Sequence, residues 1–197
     1  GIEELEKEVD ALMVIPNDRL LSIIEKNTSL KNAFATCDEV LRQAVEGISE
    51  LITMPGIINV DFADIKAVMS NTGPAIMGIG KATGENRATE AAERAINSPL
   101  LDISIQGAKG ILFAVAGDEN MTMNEVQEAA KIITESVDKD AKVIFGAIYD
   151  NKLKKGELKV TVIASGFPNN TPKKNTLFNL RKDREEHREE KKEIHTP

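Results

Sequence analysis

The segment SLKNAFATCDEVLRQAVEGISELIT, Ser29–Thr53, decides the architecture. Its apolar residues fall at 30, 33, 34, 37, 40, 41, 44, 45, 48, 51 and 52, an unbroken i,i+3/i+4 series over 25 residues. That spacing predicts one helix of roughly 37 Å at 1.5 Å per residue, with Thr28 or Ser29 to cap its start and Pro55-Gly56 to end it. Upstream, Ala11–Ile15 is a short apolar run halted by Pro16, and Asn17 is placed to cap a helix over 18–26. Downstream, after a short acidic loop, Asp61 begins a helix that runs to about Asn71. Beyond it, apolar runs at 75–80, 110–116, 142–149 and 158–164 alternate with helical patterns at 86–97 and 123–137, which reads as βαβαββ. The crossover helices call for parallel neighbours, whereas the hairpin-like connection 150–157 turns the last strand antiparallel. The expected fold is α/β (α+β), a mixed four-stranded sheet with the crossover helices on one face and the long helix on the other. The strands are nearly continuous in Val, Ile, Phe and Ala, as strands covered on both faces are.

The 197 residues, 41% hydrophobic and 29% charged, suffice for one sizeable domain or two small ones. Lys and Arg number 25 against 32 Asp and Glu, a net charge of −7 that disfavours nucleic acid and anionic membranes. One Cys excludes an intramolecular disulfide framework, and two His at the extreme C-terminus exclude a Cys/His zinc cluster in the folded part. This usage suits a reducing cytosol. No apolar run reaches the roughly 20 residues that span a bilayer, and no secretory signal is visible, so no direct membrane insertion is expected. The chain begins at Gly1, inside a charged amphipathic segment, which reads as a cut in a longer polypeptide. Residues 168–197 hold eight Lys/Arg and six Asp/Glu, leaving −9 on the body. Within them RKDREEHREEKKEI offers no apolar face and reads as a linker or a solvated helix.

Several residues are candidates for chemistry. Gly78–Glu85, GIGKATGE, has neither dinucleotide-fingerprint nor P-loop spacing, and its glycines are read as letting a helix approach the strand. Phe34 and Asp38 lie one helical turn apart, about 40° around the axis from each other, on the stripe of Leu41 and Val45. A carboxylate there needs a partner. Either it is a salt bridge or cap within the fold, or Phe34 stacks on a planar ring while Asp38 accepts two N–H bonds, as the edge of guanine offers. Asn59, Asp61 and Asp64 crowd the turn GIINVDFADI. Asp61 suits an N-cap, with Asp64 resembling the far partner of a capping box. Alternatively, two carboxylates and an amide would position a water, and a cation, against an electrophile brought by a partner. Cys37 reads as a small buried hydrophobe.

Taken together, VIPNDRLL (Val14–Leu21), AFATCDEVLRQAVEGISELI (Ala33–Ile52), GIINVDFADIKAVMS (Gly56–Ser70), MGIGKATGENRATEAAERAINSPLL (Met77–Leu101) and VTVIASGF (Val160–Phe167) strongly resemble the bacterial cell-division GTPase family FtsZ, relatives of tubulin. The resemblance covers about residues 1–167, in the family's order and spacing. It implies a tubulin/FtsZ C-terminal-domain-like fold divided as follows: 1–27, the end of the GTP-binding domain; 28–54, the linking helix; 55–167, the GTPase-activating domain; 168–197, a charged tail. The N-terminal domain with the glycine-rich phosphate loop would be a separate partner. By resemblance, Asn17, Phe34 and Asp38 are guanine contacts, while Asn59, Asp61 and Asp64 form the synergy loop that reaches the γ-phosphate of GTP on the next subunit. The implied ligands are GTP or GDP with Mg²⁺ on the phosphates, with no metal ligand assigned in the chain itself. The implied assembly is a head-to-tail homopolymer in the cytoplasm at the division site. Two stretches depart from the family pattern, FAVAGDEN (Phe113–Asn120) and the tail. In the tail TLFNLRKD (Thr176–Asp183) is a candidate divergent peptide for division-machinery or membrane-anchor proteins.

Two other functions fit the same residues. Without the phosphate loop the chain would be inactive alone and act as a module that docks on or caps filaments, or it would belong to a tubulin-like cytoskeletal GTPase outside cell division.

Overall fold

The computed structural model describes residues 1–15, 28–54, 56–98, 101 and 104–168. Asn17, the helix expected over 18–26 and the segment 176–183 lie outside the described residues. The elements in chain order are α1 (Ile2–Glu8), β1 (Ala11–Met13), α2 (Leu30–Thr53), β2 (Gly56–Ile58), α3 (Phe62–Met69), β3 (Gly73–Thr83), α4 (Arg87–Ile96), β4 (Gly110–Gly117), α5 (Met123–Glu135), β5 (Lys142–Tyr149) and β6 (Glu157–Ser165).

The long helix forms as its pattern requires. Ser29 Oγ accepts the Asn32 amide at 3.3 Å to cap α2, and its last turn closes through the Met54 amide on the Glu50 carbonyl at 2.9 Å. Its apolar series resolves into two rows. Ala33, Cys37, Ala44 and Leu51 are buried, whereas Phe34, Leu41, Val45 and Ile52 are exposed. Cys37 is a free, buried thiol, as its place on the stripe suggested.

The strands form one mixed sheet in the order β1-β3-β6-β4-β5-β2. The expected four strands make its centre, widened to six by the short edge strands β1 and β2. Two details of strand order differ from the sequence reading. Strand β6 lies between β3 and β4 and is antiparallel to both, so the crossover through α4 joins parallel strands that are not neighbours. The connection 150–157 is accordingly not a hairpin, because β5 pairs with β4 in parallel and the chain must pass over the end of β4 to reach β6. That passage is pinned by the Asp150 amide on the Gly117 carbonyl at 3.0 Å and the Gly156 amide on Asp118 Oδ2 at 3.0 Å.

Alternate side chains serve the two faces, as the pleat requires. Ile111, Phe113 and Val115 of β4 with Leu158, Val160 and Val162 of β6 pack under α4 and α5. Leu112 and Ala114 of β4 with Ile163 of β6 meet Ala44 and Leu51 of α2 and Ile65 of α3. Phe113 and Phe145 stack across the β4–β5 pair with centroids 5.3 Å apart. The glycines of the GIGKATGE stretch act as read: a Cβ on Gly78 would fall on the Ala95 carbonyl and one on Gly80 on the Ala91 carbonyl. The facing residues Ala88, Ala91, Ala92 and Ala95 are fully buried, so α4 sits against the β3 backbone itself.

One buried cation holds the loops at the C-terminal ends of β3 and β4. Arg87, the first residue of α4, sends Nε to Glu125 Oε1 and Nη2 to Glu125 Oε2 at 3.2 Å, with Asp118 3.6 Å from Nη1. The Arg87 hydrogen bond outweighs the cost of burial at Glu125 and holds its carboxyl below the usual glutamate value of 4.5. The stability this pair adds is therefore complete above pH 4.5 and lost as pH falls through the folded-state value. Glu125→Gln should unfold at lower urea than the parent at neutral pH, and its midpoint should fall less steeply below pH 4.5. Parallel pH profiles for the two proteins would contradict this assignment.

Candidate functional site

The expected site residues fall into two groups joined by α2. Phe34 and Asp38, one turn apart near the helix start, both face solvent, with Phe34 49% exposed. Among the described residues Asp38 has no hydrogen-bond or ion-pair partner, so its salt-bridge reading finds no support and its exposure removes the need for one. An exposed ring and an unengaged carboxylate at this spacing fit a planar base that offers an N–H edge. The second group begins where α2 ends. Gly56–Ile58 pairs with β5, and Asn59 Oδ1 accepts the Gly56 amide at 2.8 Å, folding the turn back on itself. Asp61 caps α3, its Oδ1 accepting the Ala63 amide at 3.1 Å. Asp64 occupies the first turn of α3 without closing a capping box, and its carboxylate is exposed near the positive end of the helix dipole.

The turn is held from below. Ile65 and Val68 are buried, and the fully buried Ser165 hydroxyl donates to the Val68 carbonyl at 2.8 Å. Val60 lies against Gly146 of β5, where a Cβ would come within 2.9 Å of its methyl. Asn59, Asp61 and Asp64 are thus exposed polar groups on an anchored frame, able to touch a ligand presented from outside. Among the described residues no three carboxylate, His or Cys side chains converge on a metal position. A cation brought to this turn would keep most of its ligands from the incoming molecule and water.

Between the two groups lies a set of charges that the sequence reading did not single out. Lys159 of β6 places Nζ 3.1 Å from Glu50 Oε2 of α2 and 3.0 Å from Asp150 Oδ2 beyond β5. These side chains are 14%, 10% and 4% exposed. Lys152 pairs with Glu46 one turn earlier on α2, and Arg42 bridges Glu39 and Glu46 at 2.6 Å each. Burial favours a neutral Lys159, yet its bonds to Asp150 and Glu50 outweigh that and raise its pKa, so it is charged at neutral pH. At Asp150 burial is likewise outweighed, by the Lys152 amide and the Lys159 ammonium, and the carboxyl sits below its usual range. The signal in the sequence was the alternation LKVTV at 158–162, which sets Lys159 and Thr161 on the α2 face of an otherwise apolar strand.

Comparison with known proteins agrees with this architecture. The profile of the FtsZ family, C-terminal domain, matches residues 73–168. A solved FtsZ dimer from M. jannaschii is 46% identical, with TM-score 0.79, over 84% of this chain and 48% of that one. A GTPgS-bound protofilament of CetZ2 from Haloferax volcanii matches at 16% identity and TM-score 0.65, over 99% of this chain and 55% of that one. GDP-form protofilaments of TubZ from Bacillus thuringiensis serovar israelensis match at 13% identity and TM-score 0.68, over 98% of this chain and 54% of that one. The last two likenesses concern the fold alone. The chain spans about half the length of these solved relatives.

The capping geometry of Asp61 separates its structural from any chemical role. Asn caps as well as Asp, whereas Ala does not. Asp61→Ala should lower the unfolding free energy by about 1 kcal/mol and Asp61→Asn by a few tenths at most. Urea titration checks this, and an equal loss in both variants would contradict the cap.

Proposed function

The chain belongs to the FtsZ family, whose C-terminal domain it carries over residues 73–168, and on that premise we propose that it is the activating half of a GTP-hydrolysing, filament-forming cell-division protein. In this reading Asn17, Phe34 and Asp38 hold the guanine of a nucleotide whose phosphates rest on an N-terminal domain. Asn59, Asp61 and Asp64 act on the nucleotide of the adjacent subunit. The observation that carries the reading is the separation of the two groups. From Phe34 to Thr53 α2 rises roughly 28 Å, more than a nucleoside triphosphate spans. One molecule of GTP cannot touch both ends of the same chain. Two copies stacked head to tail bring the second group of one onto the nucleotide held by the first group of the other. Such a heterologous contact does not close and builds a filament.

The chemistry asked of the turn is modest. Phosphoryl transfer is accelerated chiefly by positioning and electrostatics, so neither carboxylate has to be a strong base. Asp61 and Asp64 accept hydrogen bonds from the attacking water and aim its lone pair at the γ-phosphorus, while the Asn59 amide orients that water. When bound, Mg²⁺ on the phosphates supplies charge neutralisation. The cap and anchor contacts hold these groups in place before the partner arrives, so little ordering is left to the moment of reaction.

In this chain combined with its matching N-terminal nucleotide domain, Asp61→Asn should preserve the α3 cap and GTP affinity while turnover falls by about 10²-fold or more. Steady-state phosphate release with a parallel nucleotide-binding titration checks this. Parental turnover in Asp61→Asn would remove the carboxylate from the mechanism.

A further inference from the structure

We propose that Lys159, through Glu50, is a positioning residue that fixes the C-terminal end of α2 on the sheet and with it the placement of Asn59, Asp61 and Asp64; this rests on the function proposed above. The apolar part of the α2 seat is thin. Ala44 and Leu51 are buried there, Ile48 is half-buried, and Gly47 lets the helix close on Thr161, where a Cβ would come within 3.2 Å of the threonine methyl. Contacts of that kind have no direction and tolerate a shift along the helix axis. The ionic contacts do have one. Glu46 and Glu50 lie on successive turns and are met by Lys152, from the chain that passes over the end of β4, and by Lys159 of β6. Asp150 takes the other side of the Lys159 ammonium, so the cation is fixed to the sheet before it meets the helix.

A buried ion pair gives little net stability compared with packed apolar side chains of the same volume. What it gives at this place is a register. After Glu50 only Leu51, Ile52 and Thr53 remain in α2, and the turn that carries Asn59 begins at Gly56. The far side of that turn is fixed by the Ile65 and Val68 contacts and the Ser165 bond. The near side is fixed by Glu50. Phe34 and Asp38 lie more than three turns away, beyond the reach of this pair, so its loss should act on turnover and not on nucleotide affinity.

Glu50→Gln tests this gently, because Lys159 keeps Asp150 and no buried charge is orphaned. Hydrogen exchange on the chain should show amides 44–54 exchanging about tenfold faster or more, with β4 and β6 unchanged. In combination with the N-terminal nucleotide domain, kcat should fall roughly ten- to a hundredfold with KM for GTP within twofold. Lys159→Arg should retain parental exchange and turnover, and Glu39→Gln, on the solvated side of α2, should change neither. Unchanged exchange in α2, uniform loosening of the whole sheet, or loosened α2 with parental kcat would each overturn the proposal. Absence of turnover in the parent combination would overturn the function it rests on, and the exchange result would still decide whether Glu50 holds the helix.

Discussion

The ammonium of Lys159, buried between Glu50 of α2 and Asp150 beyond β5, joins the long helix to the sheet at the place where the chain turns toward its exposed polar loop. Few other contacts on that face are directional. The opposite face is built differently: Gly78 and Gly80 admit α4 to the β3 backbone and four alanines fill the contact, with Arg94 donating to the Lys81 carbonyl and Arg87 of α4 joined to Glu125 of α5. One face of the sheet is therefore packed chiefly by shape, whereas the seat of α2 on the other relies on ion pairs. Among the described residues the candidate site groups lie on α2 or on the turn that follows it.

This division suits a molecule that works at its two ends. A helix is the stiffest connection that a chain can make between distant points. Here it carries Phe34 and Asp38 on one stretch and delivers Asn59, Asp61 and Asp64 from its end. Its second apolar row, Phe34, Leu41, Val45 and Ile52, is exposed in this chain. In the reading adopted, that row and the unengaged Asp38 are where the N-terminal domain and its nucleotide belong. Both halves of the reaction then depend on surfaces that no single copy of this chain completes.

Much of the fold was legible in the sequence because it is set by local periods and caps. The 3.6-residue period with Ser29 and Pro55 fixed α2, and Asp61 announced α3. The glycines before α4 were read correctly because close approach needs only the absence of a Cβ. Strand order was not legible. Runs of Val, Ile and Ala buried on both faces look alike in any position, so nothing local told β6 to lie between β3 and β4. The edge strand β2 is three residues long and has no period to detect. Within the candidate site, Phe34, Asp38, Asn59, Asp61 and Asp64 could be singled out as anomalies of type and spacing. The partners of Arg87 and Lys159 could not, because Glu125 and Glu50 lie 38 and 109 residues away in the chain.

The central claim is that catalysis is shared between two copies, and mixing two defective proteins tests it most directly. Asp38→Asn impairs the nucleotide end of one, Asp61→Asn the activating end of the other, each combined with its N-terminal nucleotide domain. Neither alone should hydrolyse GTP at the parental rate. In an equal mixture, about a quarter of head-to-tail contacts pair an intact nucleotide end with an intact activating end. The account predicts turnover well above that of either variant, rising with total concentration. A co-assembled mixture no more active than its components would place the whole reaction within one subunit and contradict it.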